Sequence, residues 1–177
     1  RIGEADGIGM ILRMMEVHGA SNAGVANYGC QALWNFSYNN ADNRKRIGEA
    51  GGIAMILRMM EVHGASNAEV ARAGCGALYN FICSTGNSGR NVDNQNLIVD
   101  AGGIDLIVRM MEEHGESNAG VAEGGCGVLW ILADTNANNK SKILTVNGVS
   151  IVERVKSTWV SNSGVQTYAN KALASLC

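Results

Sequence analysis

Three histidines, His18, His63 and His114, stand at one position in three successive copies of a motif, and Cys30, Cys75 and Cys126 share another. The first set suggests a metal site and the second a row of disulfides or nucleophiles, but spacing argues against both. Neighbouring helices pack roughly 8–10 Å apart whereas zinc–nitrogen bonds are about 2 Å, so equivalent residues of stacked units do not share an ion. Disulfides need Cα atoms within roughly 7 Å, which such equivalents do not meet. Cys83 and Cys177 make the thiol count odd, and no C-x-x-C or His/Cys ligand spacing occurs, so the cysteines read as free and partly buried. Glu16, Glu61 and Glu112 follow Arg13, Arg58 and Arg109 by three residues, which reads as ion pairing along a solvated helix face rather than as acid–base chemistry. No phosphate-cradling glycine motif appears. Neither an enzyme activity nor a metal or other cofactor is expected.

The elements that carry these residues repeat. Residues 1–36 and 46–81 match at 29 of 36 positions with an offset of 45. The motif returns from Asp100, displaced by 51 because the polar stretch Ser84–Asn96 intervenes, and a degenerate copy begins at Asn147. The expected organisation is one solenoid over 1–177, with unit 1 at 1–40, unit 2 at 41–83, an insertion at 84–96, unit 3 at 97–135 and unit 4 at 136–177. Each unit reads as a short helix, a second helix and a longer third one. In unit 2 these are Ala41–Ala50 with Asp42 as its cap, Ile53–His63 stopped by Gly64, and a helix after Ser66 or Asn67 running to about Cys83. The second helix is apolar nearly all round, so it must be covered on several sides.

A period in the low forties, three helices per unit, the joint AGGIAMILRMM, the stretch NAEVARAGCGALYNF and the linker SYNNADNRKRIGEAGGI together resemble the armadillo repeat family along the whole chain. The resemblance implies an all-α, right-handed superhelical solenoid whose third helices line a concave groove for extended peptides or partner proteins. It also implies that Asn35 and Asn80 stand at the family's backbone-binding position, where unit 3 departs with Ile131. The import adaptors of that family carry Trp four residues earlier, where this chain has Gln31 and Gly76, so capture of a basic localisation signal is disfavoured. Arg72 and Lys171 also put positive charge there, so an acidic or neutral, partly apolar segment suits the groove better.

Units 1 and 2 differ at seven positions, five of them on the third helix: 24/69, 27/72, 28/73, 31/76 and 34/79. On a wheel with Val25 at 0°, these five fall between about 180° and 300°, opposite Gly29, Ala32 and Phe36. They are expected to face a ligand or solvent. Reading across units gives the candidate groove residues Asn27, Gln31, Trp34, Asn35, Arg72, Tyr79, Asn80, Glu123, Trp130 and Lys171. Aromatic planes offer contact area at low entropic cost and Asn amides pair with both groups of a peptide bond, while burial between units is the competing reading for the three rings and helix capping for the two Asn.

Net charge −2, from 14 Lys+Arg against 16 Asp+Glu, lacks the basic excess that phosphate binding needs, so no nucleic acid is expected as partner. No apolar run approaches the ~20 residues of a membrane span and no secretory leader is visible, so the expected setting is the cytoplasm, with the nucleus second. The function expected is a protein-interaction scaffold. The alternative is a structural segment of a longer array that stacks end to end into oligomers or filaments through terminal units lacking polar caps, or acts as a rigid spacer in a larger protein.

Overall fold

The computed structural model describes residues 6–83 and 90–177. The described residues form helices and turns without strands: α1 (Gly7–His18) and α2 (Ala23–Ser37) in unit 1; α3 (Ala41–Glu49), α4 (Gly52–His63) and α5 (Ala68–Ile82) in unit 2; α6 (Val92–Asp100), α7 (Gly103–His114) and α8 (Ala119–Thr135) in unit 3; α9 (Ala137–Thr145), α10 (Gly148–Thr158) and α11 (Ser163–Leu176) in unit 4. The expectation for residues 1–5 lies outside the described residues. The helices wind as a right-handed solenoid in which α2, α5, α8 and α11 pack successively on one another.

Asparagine starts most of these helices. Asn22, Asn67, Asn118 and Asn162 accept backbone N–H groups from the first turns of the four third helices. Asn40, Asn91 and Asn136 do the same for α3, α6 and α9. The cap of α3 is therefore Asn40, and Asp42 lies inside the first turn, where its charge suits the helix dipole. Two further asparagines join consecutive units: Asn43 Nδ2 donates to the Phe36 carbonyl at 2.8 Å, and Asn94 Nδ2 to that of Phe81 at 3.1 Å.

Each glycine of the AGGI joint has a separate task. Gly51 and Gly102 adopt left-handed backbone, φ 81° and 75°, and Asp6 and Asn147 take that conformation in units 1 and 4. The next residue needs space instead, because a Cβ on Gly52 would sit 2.4 Å from Ile47 Cγ2 and 2.9 Å from its carbonyl oxygen.

Three expectations are corrected. Helix α6 begins at Val92, inside the stretch assigned to the insertion, because Asn91 caps it and buried Asn94 and Ile98 anchor it. Its polar sequence VDNQN hides that register. The arginine–glutamate pairs made by second-helix arginines run between units: Arg109 pairs with Glu61 of the preceding second helix, and Arg154 of α10 reaches Glu116, in the turn after α7, at 2.9 Å. The terminal units are also unlike. Unit 4 carries polar side chains in the open on α10, where Glu153, Ser157 and Thr158 are exposed and Lys156 is half-buried.

The histidine row has a structural task. His63 Nε2 bonds the Gly19 carbonyl oxygen at 2.7 Å, His114 Nε2 bonds that of Gly64 at 2.7 Å, and Trp159 Nε1 donates to that of Gly115 at 2.7 Å. Each unit thus reaches back to the turn that ends the preceding unit's second helix. Met59 and Met110 pack over Gly19 and Gly64 in the same seams, where a Cβ would lie 2.5 and 2.4 Å from their sulfurs.

Candidate functional site

The third helices carry the candidate residues, and only part of the expected face is open. In α5, Ala73 and Gly76 are buried while Arg72 and Tyr79 are half-buried and Glu69 is exposed. Two of the five variable positions therefore report packing rather than ligand or solvent. The reason is that an inner third helix packs on like helices on both sides as well as on its own unit, so buried residues extend round most of it. The glycines show what the seam requires. A Cβ on Gly76 would sit 2.5 Å from Trp34 Cη2, and one on Gly127 would sit 2.7 Å from Tyr79 Cδ2. Each aromatic ring lies over the next unit's glycine, so the rings are seam residues as well as surface ones. At the next rung the equivalent of these glycines is Lys171, whose Nζ lies 4.2 Å from the centre of the Trp130 ring.

Four candidates, Trp34, Arg72, Tyr79 and Glu123, meet in one cleft of about 140 Å³ that Gly76, Gly120, Gly124 and Tyr168 complete. Arg72 is held by Glu69 at 2.9 Å, and its guanidinium carbon lies 5.9 Å from the centre of the Trp34 ring. The hydroxyls of Tyr79 and Tyr168 lie 3.0 Å apart, with the rings edge-on at 5.1 Å. Burial, reinforced by that hydrogen bond, pushes the Tyr79 phenol well above its ordinary range, so it stays a neutral donor.

Trp130 and Lys171 form a second cluster. The Trp130 ring meets Lys171, the Arg90 guanidinium carbon at 5.3 Å from its centre, and Tyr168. Arg90 also pairs with Asp134, and that hydrogen bond holds the carboxyl below its usual range. Among the described residues no carboxylate pairs with Lys171.

The remaining candidates are dispersed. Gln31 Nε2 donates to Asn27 Oδ1 at 2.8 Å, both half-buried on α2 outside the cleft. Asn35 is exposed, whereas Asn80 is buried and its amide nitrogen has no hydrogen-bond partner among the described residues. Tyr168 and Arg90 were missed by sequence reasoning. The Tyr168 signal is the row Tyr28, Ala73, Gly124, Tyr168, in which size falls and then returns. Arg90 lies inside the stretch assigned to the insertion, where the repeat register gives no position.

Burial pushes the thiols of Cys30, Cys75 and Cys126 up to about 12, which leaves them without thiolate at neutral pH. Among the described residues no group of three His, Cys, Asp or Glu is placed to hold a metal ion.

No protein-family profile matches the chain, and no curated protein matches it. Solved structures do. A designed armadillo repeat protein is 18% identical with a TM-score of 0.78, covering 98% of this chain and 66% of its own. A second designed armadillo repeat protein, in complex with the peptide (KR)4, is 19% identical with a TM-score of 0.74, covering 98% of this chain and 66% of its own. A structure from work on the interaction between cadherin and beta-catenin is 17% identical with a TM-score of 0.74, covering 97% of this chain and 34% of its own. The chain spans less than two thirds of the length of each. At these identities the likeness establishes the fold, which is that of armadillo repeat solenoids.

Proposed function

We propose that this armadillo-type solenoid is a non-enzymatic interaction scaffold that holds an extended peptide, or a segment of a partner protein, along its third helices. The observation that carries the reading is the row of half-buried rings Trp34, Tyr79 and Trp130, each seated on the next unit with part of its face open. Rings fixed in this way offer contact area with little entropy left to lose. Next to Tyr79 along α5, the buried Asn80 amide nitrogen has no hydrogen-bond partner among the described residues. Catalysis has no support from the side chains: His63 and His114 are engaged in inter-unit bonds and three thiols are held protonated. Free buried cysteines suit a reducing compartment, the cytoplasm or the nucleus.

The charge preference follows from the second cluster. One designed relative is complexed with a basic peptide, but here the Trp130 ring already carries this chain's own Lys171 and Arg90. A basic side chain is repelled there, and an acidic one meets the uncompensated ammonium of Lys171. Selection from a randomised extended-peptide library should therefore enrich an acidic residue. Lys171→Glu should weaken the selected peptide at least tenfold, and Asn80→Ala should weaken it with helicity unchanged. Enrichment of Lys/Arg peptides, or an affinity indifferent to both substitutions, would move the site elsewhere. The assembly reading keeps support from one feature, the exposed apolar side chains of α1.

A further inference from the structure

Helices α5 and α11 each pack on α8, which stands between them. Helix axes in contact lie roughly 8–10 Å apart, so the outer two are separated by about two such steps. A tyrosine pair nevertheless joins them. Tyr79 of α5 donates its hydroxyl hydrogen to the hydroxyl oxygen of Tyr168 of α11 at 3.0 Å, with the ring centres 5.1 Å apart. Such a span needs a middle helix that raises nothing into its path, and α8 meets that need with glycine. A Cβ on Gly127 would lie 2.7 Å from Tyr79 Cδ2, and one on Gly124 would lie 3.0 Å from that of Cys75, so close does α5 approach. Trp130, one turn beyond Gly127, backs the Tyr168 ring at 6.1 Å between centres.

The pair therefore crosses the groove over unit 3, which is also where the groove offers main chain the least. Asn35 of α2 and Asn80 of α5 have Ile131 as their counterpart on α8, and it is buried. Main chain laid on α8 finds no amide at that place to bond its N–H and C=O groups. The two rings of the pair are held differently. Tyr79 is seated flat against Gly127, whereas Tyr168 is half-buried and stands where α5 and α8 carry Ala73 and Gly124, which put no ring into the groove. A helical tyrosine has two accessible χ1 rotamers, and a change between them takes the Tyr168 hydroxyl out of reach of Tyr79.

We infer that Tyr168 is a latch: its bond to Tyr79 holds the groove shut over unit 3 in the free chain, and a partner segment that runs from α5 to α11 displaces it. The inference rests on the peptide-binding reading above and adds to it a cost of entry. Only the latch-open form admits the segment, so the apparent affinity is lowered in proportion to the closed fraction. Removing Tyr168 then improves binding, the reverse of what removing a contact residue does. The latch also discriminates among partners, because a segment confined to α2 and α5 never meets it, whereas one that reaches Lys171 does.

The test titrates the peptide enriched from the randomised extended-peptide library into the full chain and into its Tyr168→Phe and Tyr168→Ala variants, with helicity checked in each. Tyr168→Phe keeps the ring and removes the acceptor of one neutral hydrogen bond, so binding should tighten about threefold. Tyr168→Ala removes the ring contact as well and should tighten binding about tenfold. The nuclear Overhauser contact between the Tyr79 and Tyr168 rings should be present in the free chain and absent at saturation. Binding that Tyr168→Ala weakens or leaves unchanged would overturn the latch, as would a ring-to-ring contact missing from the free chain. A library that enriches nothing fails the groove reading and the latch with it, whereas a peptide that binds with the ring-to-ring contact intact fails the latch alone.

Discussion

Helices α2 and α5 are near copies in sequence and quite different in environment. Phe36 is half-buried where Phe81 is fully buried, Tyr28 is exposed where Ala73 is sealed, and Asn35 faces solvent where Asn80 does not. Place in the array causes the difference: α5 is clasped by α2 and α8, whereas α2 has a like neighbour on one side among the described residues. Residue size tracks that place at 28/73 and 31/76, where the clasped helix has Ala and Gly. Similar sequence therefore fixes each helix, and stacking decides which of its positions remain available to a partner.

The largest effect is expected at alkaline pH, where the two helices should behave alike. The buried thiols have folded pKa values of about 12 against an ordinary 9.0. Above pH 9 the unfolded chain loses protons that the folded chain keeps, so stability falls as pH rises from 9 towards 12. The slope is up to about 1.4 kcal/mol per pH unit for each thiol. Denaturant titrations across that range should show it, and Cys30→Ala and Cys75→Ala should flatten it equally. Unequal flattening would mean that the thiol of α2 is less enclosed than that of α5.

Truncation of the two phenylalanines should separate the helices. Phe81→Ala should cost about 3–5 kcal/mol, and Phe36→Ala clearly less, because its ring is partly in water already. Equal losses in urea melts would break the comparison. Exchanging seam residues comes next: Ala73→Tyr or Gly76→Gln in α5 should each cost about 1–3 kcal/mol through overpacking. Tyr28→Ala in α2 should stay within about 0.5 kcal/mol. Smallest among the losses is the cap, where Asn67→Ala should cost about 1 kcal/mol by leaving the N–H groups of Glu69 and Val70 unpaired. Asn22→Ala should match it, since capping is local and indifferent to stacking.

Much of the fold was legible because its signals are local and repeated. The glycine doublets mark joints, Asn67 marks a helix start, and the apolar girdle of α4 foretells cover on several sides, met by buried Ile56, Leu57 and Met59. What the sequence hid was non-local. A variable position looks the same whether a ligand, water or the next unit faces it, so Gly76 and Ala73 could not be told from Arg72. Nothing in the repeat register could place Arg90 on the Trp130 ring, nor show that Tyr168 reaches across α8 to Tyr79. The start of α6 was obscured because capping and inter-unit bonds, rather than apolar periodicity, hold its first turn.

The central claim, that the third-helix face receives a partner segment, has three built-in reporters. Trp34 and Trp130 lie on that face, whereas Trp159 donates its indole N–H to Gly115 in a seam at 2.7 Å. Titration of the library-selected peptide into isotope-labelled protein, followed through the indole N–H resonances, should shift Trp34 and Trp130 and leave Trp159 in place. A titration that moves Trp159 alone, or none of the three at saturation, would contradict the account.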